Sequence, residues 1–277
     1  MTTTVGDVVA ALEAAYPPEL AESWDAVGLV CGDPAEPAAK VLFCVDPVES
    51  TVDEAVERGV DLVVAHHPLL LRGVHGVPAS TWKGRLVHRL IRANIALYCS
   101  HTSADSADPG VSDALARAIG LTVRGPLDGD ENTGLGRIGD LPSALTLAQF
   151  AQQVADALPE TVTGVRAAGD PDRLIRTVAV CGGAGDSLIG AATTAGVDAY
   201  VTADLRHHVA GEHLEAGPDV PALVDVSHWA SEWLWCDQAA RVVRAAFRGN
   251  VDTHVSTRRT DPWTLRAARV REDSRES

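Results

Sequence analysis

Six residues able to bind metal stand in three tight groups along this 277-residue chain: His66 with His67, His101 with Asp105, and His228 with Glu232. The last two pairs are spaced i, i+4, which on a helical turn sets both side chains on one face, within reach of a single ion. Adjacent residues of a regular strand point to opposite faces. Where a strand gives way to a loop, however, the backbone can turn both rings into one cavity, and Pro68 keeps His67 extended. Taken singly, each group has an ordinary explanation: one ring packed and one exposed, or a plain His–carboxylate hydrogen bond. Together they form a mixed imidazole and carboxylate set too large for one tetrahedral ion. Two bridged divalent ions about 3.5–4 Å apart would use it and leave positions open for water. Such donors suit Zn, Mn, Fe or Co, and the lack of thiolates argues against a structural zinc–thiolate site.

The elements that must position these residues alternate short β-branched runs with helical ones, the mark of an α/β fold with largely parallel strands. Strands are expected at 41–45, 61–65 and 95–100, with helices between them and a further helix at VSDALARAIG. The second half repeats the plan, with strands at 177–182, 198–203 and 221–227 and a long closing helix from Ser231. Gly59-Val60-Asp61 precedes one strand and Gly196-Val197-Asp198 its counterpart. Ser100-His101 closes one strand and Ser227-His228 the other, each followed four residues on by a carboxylate. A duplicated β-α-β-α-β unit accounts for these matches, giving two α/β halves, 1–125 and 126–277, whose C-terminal segment can pack back on the first half. Between them the chain is Gly- and Asp-rich and then helical from Ser143. Six of the ten histidines fall just beyond strand ends, where α/β sheets build ligand sites. Asp204, His207 and His208 are expected to line the same cleft, and Ser231 to cap the helix presenting Glu232. His207-His208 reads as a displaced counterpart of His66-His67, bordering the cleft without ligating metal.

Composition narrows the function classes. A formal net charge of −15 argues against a nucleic-acid binder. No apolar run approaches the roughly 18 residues of a membrane span, and the acidic N-terminus lacks the features of a signal peptide, so a cytoplasmic protein is expected. Five cysteines without a CxxC pair read as small buried hydrophobes. The charged end 271–277 is expected to be disordered.

The segments WDAVGL (24–29), VVAHHPLLL (63–71), SHTSAD (100–105), LGRIG (135–139), TADLRHH (202–208) and SHWASE (227–232) occur in an order and spacing that resembles the Nif-three-like dinuclear metal-centre family. Its members are often named GTP cyclohydrolase 1 type 2 homologues. The resemblance spans nearly the whole chain. It implies a two-domain α/β subunit in a ring-like homohexamer, with two divalent metal ions per subunit facing an internal cavity. It also implies His66, His67, His101, Asp105, His228 and Glu232 as the ligands. The sequence departs from the family at Ser103, where the pattern H-T-N-x-D has Asn, and the long insertion of larger members is missing between LGRIG and the strand at 177–182.

Two functional readings follow. In the first, the protein is a metal-dependent hydrolase of a small molecule: a purine nucleotide opened at C8, as the family name implies, a phosphoester or a cyclic amide. Arg137 and Arg206 are then candidate phosphate partners, and no Walker-type loop is present. In the second, it is a non-enzymatic scaffold that stores or delivers metal, or a regulator.

Overall fold

A computed structural model describes residues 2–130 and 132–267. The charged end at 271–277 lies outside the described residues. Helix α1 (Val5–Ala15) is followed by strands β1 (Gly28–Cys31) and β2 (Lys40–Cys44). Helix α2 (Glu49–Arg58), β3 (Leu62–Ala65), α3 (Trp82–Arg92) and β4 (Ala96–Cys99) complete the first unit. Helices α4 (Thr102–Ser106) and α5 (Val111–Ala118) come next. Then follow β5 (Thr122–Gly129), β6 (Gly134–Thr146), α6 (Leu147–Ala157), β7 (Arg166–Ala168) and β8 (Leu174–Ala184). Helix α7 (Ile189–Thr194), β9 (Ala199–Ala203), α8 (His207–Glu215), β10 (Ala222–Val226), α9 (His228–Ala246) and β11 (Asp252–Val255) close the chain.

Two mixed sheets result, one ordered β1-β4-β3-β2-β11 and the other β5-β6-β8-β9-β10-β7. In both, three successive strands lie side by side and parallel: β2, β3 and β4 in the first, β8, β9 and β10 in the second. In both, an antiparallel edge strand flanks the third, β1 beside β4 and β7 beside β10. The duplicated plan therefore extends to the edges of the sheets.

The repeated Gly-Val-Asp shows why the two units fold alike. Gly59 ends α2 in the left-handed region at φ 59°, and Gly196 follows α7 at φ 64°. A side chain is disfavoured at both positions. Each turn then delivers an aspartate to the start of a strand. Asp61 accepts the backbone N–H groups of Ala39 and Lys40 at 2.7 and 2.9 Å. Asp198 accepts those of Arg176 and Thr177 at 2.9 and 2.8 Å. Each carboxylate thus fastens the first parallel strand to the second.

Apolar side chains cover both faces of both sheets. Helices α2 and α3 pack on the outer face of the first sheet through Val52, Ala55, Leu86 and Leu90, and α7 packs on the outer face of the second through Ile189 and Ala192. Between the sheets lie α1 and α9, centred on Leu12 and the fully buried Trp235, with α5 and α6 contributing Leu115 and Phe150. Helix α9 therefore runs through the centre of the molecule, and its first residue is His228.

Two local expectations are corrected. The Gly- and Asp-rich stretch forms the β5–β6 hairpin, and the helix expected from Ser143 begins at Leu147 because β6 continues to Thr146. The pairing of β6 with β8, such as Ile138 opposite Ala179, is long-range, so nothing local announces it. The closing helix starts at His228, three residues before Ser231. Ser231 does not cap it; its hydroxyl donates to the His228 carbonyl at 2.7 Å and accepts from the Gly183 N–H at 2.9 Å.

Candidate metal centre

The three residue groups meet at the carboxyl ends of the parallel strands. Past β3 the backbone stays pinned to the extension of β2: His66 N–H donates to Cys44 O at 3.0 Å and His67 N–H to Val45 O at 2.9 Å. The His66 ring is fully buried, and its centroid lies 5.1 Å from that of His67. His101 immediately precedes the short helix α4, and Asp105 N–H bonds back to the His101 carbonyl at 3.1 Å. That helical turn presents the two side chains together. His228 and Glu232 form the first turn of α9, with His228 Nε2 3.0 Å from Glu232 Oε1. His67 stands between the two helical pairs, its ring 5.5 Å from that of His101 and 5.2 Å from that of His228.

Each of the four rings is held through Nδ1. His67 is bound by Asp46 at 2.7 Å, His101 by Asp25 at 2.8 Å and His228 by Asp204 at 2.7 Å, while His66 donates to the Ser100 carbonyl at 2.9 Å. An outer carboxylate or carbonyl on one ring nitrogen fixes the tautomer and orientation, leaving the other nitrogen to coordinate. The Nε2 atoms of His66, His67 and His228 then turn inward. His66 Nε2 is 3.5 Å from Glu232 Oε1 and 3.7 Å from Asp105 Oδ1; His67 Nε2 is 3.1 Å from Glu232 Oε2 and 3.3 Å from His228 Nε2.

Two triplets place donor atoms within 4.8 Å of one another, His66–His67–His101 and His67–His228–Glu232. Asp105 belongs to neither but touches the first through His66. Within this cluster three buried polar atoms, His66 Nε2, Asp105 Oδ1 and Glu232 Oε2, have no hydrogen-bond partner among the described residues. The Glu232 Oε2–His67 contact is close enough for attraction but not aligned as a hydrogen bond. Burying such atoms unpaired costs about 1–3 kcal/mol each, and a cation among them would remove that cost.

The electrostatics agree. Burial, the largest single influence, works against a charge on His66, His67 and His228, yet Glu232 together with Asp105 at His66, Asp46 at His67 and Asp204 at His228 outweighs it, and all three rings have raised pKa values, that of His228 at about 10. Glu232 is held well below the usual carboxylate range: burial opposes this, but His67, His228 and His66 prevail. Asp105 moves up, because burial exceeds the pull of His66. The cluster demands positive charge, which bound protons or metal cations can supply.

Beside the centre lies a cavity of about 800 Å³, whose wall includes Asp46, His67, Arg166, Asp204, His228, Trp229, Asp261 and Trp263. Asp204 is in this wall as expected. His207 and His208 are not; they line a separate surface depression with Glu212 and Glu215. Counting from Asp61 and Asp198, the true counterparts of His66 and His67 are Ala203 and Asp204. Arg137 is no phosphate ligand either. It is 2% exposed, pairs with Asp113 at 2.8 Å and donates to the carbonyls of Gly134, Gly136 and Ala107. Arg206 pairs with Asp186 on the surface.

Sequence reasoning missed Asp25 and Asp46 as supports. Asp46 was detectable: it follows β2 directly, at the same sheet end as the histidines. Asp25 sits in an irregular segment, and its only signal was membership of the motif WDAVGL.

Comparison with known proteins matches this architecture. A curated relative from Streptomyces coelicolor named GTP cyclohydrolase 1 type 2 homolog is 52% identical, covering 95% of each chain. One of the same name from Mycobacterium tuberculosis is 40% identical over 96% of this chain and 98% of its own. That alignment extends over 374 positions, so the mycobacterial protein carries additional residues. Among solved structures, a Bacillus cereus protein related to NIF3 superposes with a TM-score of 0.84 at 25% identity, covering 96% of this chain and 100% of that one. A Staphylococcus aureus hypothetical protein does so with a TM-score of 0.85 at 27% identity, over 96% and 100%. The family model Duf34/NIF3 (NGG1p interacting factor 3) matches residues 3–262, and the chain belongs to that family.

Proposed function

We propose that this protein is a metal-dependent hydrolase with a dinuclear centre held by His66, His67, His101, Asp105, His228 and Glu232. The observation carrying the proposal is the four imidazoles, each fixed through Nδ1 and aimed at two carboxylates whose buried oxygens lack partners. Glu232 Oε1 lies 3.0 Å from His228 Nε2 and 3.5 Å from His66 Nε2, so this carboxylate could hold metal together with either ring. When bound, two divalent ions supply an activated water and polarise a substrate oxygen.

The chain's own residues do the rest. Asp25, Asp46 and Asp204 hold the histidines in the Nε2-coordinating tautomer and strengthen them as ligands. Trp229 and Trp263 give the adjoining cavity apolar walls, and a volume of about 800 Å³ suits a small molecule of nucleotide size. The names of the relatives favour a purine nucleotide among such substrates. No described helix is long and apolar enough to cross a membrane, and a homohexameric ring is proposed on the family resemblance alone.

Elemental analysis of purified protein tests the centre. Glu232→Gln and His66→Ala should each lower bound metal from about two ions per chain to one or fewer while the fold persists. Unchanged content in both would remove the ligand assignment. Metal-restorable turnover in a metabolite screen separates an enzyme from a storage scaffold, and a monomer mass by light scattering would remove the ring.

A further inference from the structure

Residues 256–267, which follow β11, carry no regular structure, yet they are pinned at close intervals. Ser256 is 2% exposed; its N–H donates to Phe43 O at 2.8 Å, its hydroxyl to Glu54 Oε2 at 2.6 Å, and its carbonyl accepts from Trp233 Nε1 at 2.7 Å. Arg258 pairs with Glu57 at 2.6 Å and lies 3.5 Å from Glu54. Thr260 then donates its hydroxyl to Asp46 Oδ2, the oxygen not used by His67. Asp261, buried at 7% exposure, accepts the Ser227 hydroxyl at 2.9 Å and the Trp263 N–H at 3.1 Å. Ser227 is the cap residue of α9, immediately before His228.

Two consecutive strap residues therefore reach two different histidines, each through one intermediate. Thr260 acts through Asp46 on His67, and Asp261 acts through Ser227 on the start of the helix that carries His228. Among the described residues, His101 and its partner Asp25 receive no hydrogen bond from this segment. Asp25 is held instead by Thr102, whose N–H donates at 2.9 Å and whose hydroxyl also donates to it.

We propose that Thr260 and Asp261 are positioning residues for the half of the centre bounded by His67, His228 and Glu232, and that the C-terminal strap sets metal affinity there without touching the metal. The inference rests on the metal-centre reading above. The physical basis is that a carboxylate with one oxygen bound to a hydroxyl has fewer orientations available. Its other oxygen then holds the imidazole in one place, and partners of this outer kind are worth about 10–100-fold in metal affinity.

Cobalt(II) titration of the full chain, followed by its visible absorption, tests this. The wild-type protein should show two binding classes. Thr260→Val, which keeps the shape and removes the donor, should weaken the class that includes His228 and Glu232 about tenfold and the other class, which shares only His67 with it, by less; Thr260→Ser should restore both. Asp25→Asn should weaken the opposite class. Wild-type affinity in both classes for Thr260→Val would overturn the proposal. So would an equal weakening of both classes with a lowered Tm, since that is the signature of a general structural role. Absence of cobalt binding by the wild-type protein would instead defeat the metal-centre reading itself and the proposal with it.

Discussion

The two halves of the molecule share a scaffold but divide the chemistry unequally. In each, a left-handed glycine and an aspartate fasten the first parallel strand to the second, and a His–carboxylate pair follows the third. The first half adds His66 and His67 beyond its middle strand. At the counterpart positions the second half has Ala203 and Asp204, and Asp204 adopts φ 60° to hold His228. A second difference lies beyond the first strand of each unit. Asp46, which orients His67, corresponds by counting to Gly183, where β8 bulges: Val180 and Ala184 oppose Val201 and Ala203. The bulge presses the Gly183 backbone against the centre. The two units form a symmetric frame, and differences at a few strand ends gather the candidate ligands of both halves into one cluster rather than two.

The sharpest way to break this comparison is to make the halves alike at Gly183. A Cβ there would lie 2.3 Å from Glu232 Oε1 and 3.2 Å from His228 Nε2, at φ 69°. Gly183→Ala has to displace two proposed ligands and also takes on an unfavourable backbone conformation. It should lower stability by about 3 kcal/mol and reduce metal to one ion per chain or fewer, as read by chemical denaturation and elemental analysis. A variant with normal metal content would show that the bulge has no role in shaping the centre.

Next in size are the outer carboxylates. Asp46→Asn should weaken metal binding by about 10–100-fold, and Asp204→Asn by less, because the Asp204 side chain is 58% exposed against 24% for Asp46. Water can replace the exposed partner in part. Calorimetric titration of the two variants with Zn²⁺ checks the order, and the reverse order would contradict the argument from exposure.

Much of this candidate cluster could be read from residue order because its proposed ligands occupy repeated places. A histidine after the third strand, with a carboxylate one helical turn on, appears twice, and helical geometry makes that spacing meaningful wherever it occurs. The supports were harder to read. Asp25 reaches His101 across 76 positions of sequence, and Asp46 reaches His67 across 21, so only the folded sheet brings them together. His207-His208 misled for a related reason. The pair resembles His66-His67 in composition, but it begins α8 four residues past the strand end, where the helix carries it away from the centre. The β5–β6 hairpin was obscured by its glycines, which suggest loop until β8 is available as a partner.

The scaffold itself allows a matched test. Asp61 and Asp198 each accept two backbone N–H groups at closely similar distances. If the halves are equivalent as frames, Asp61→Ala and Asp198→Ala should lower stability alike, by about 1–3 kcal/mol each, with metal content unchanged in both. Thermal and denaturant unfolding measure the pair. A cost confined to one variant would mean that one half has come to depend on other ties.

The smallest expected effect concerns a tie in the first half, where β11 returns from beyond α9 to lie parallel beside β2, whereas antiparallel β6 takes the matching place beside β8 in the second sheet. Glu54 on α2 holds that return: it accepts from Arg58 Nε at 2.9 Å and the Ser256 hydroxyl at 2.6 Å and contacts His254 Nε2 at 3.1 Å. Burial alone would raise its pKa, but the hydrogen bonds from Ser256 and Arg58 outweigh it, and the folded value lies below the ordinary one. A depressed carboxylate contributes stability above its unfolded pKa of about 4.3 and loses that contribution as pH falls through the folded value. Glu54→Gln should therefore cost about 1 kcal/mol at pH 7, and the gap to the wild-type protein should close as the pH is lowered below about 4. Urea unfolding at several pH values reads this directly. A gap that stays constant from neutral to acid pH would show that the Glu54 charge contributes nothing to holding β11, and that packing alone seats the C-terminal strand on the first half.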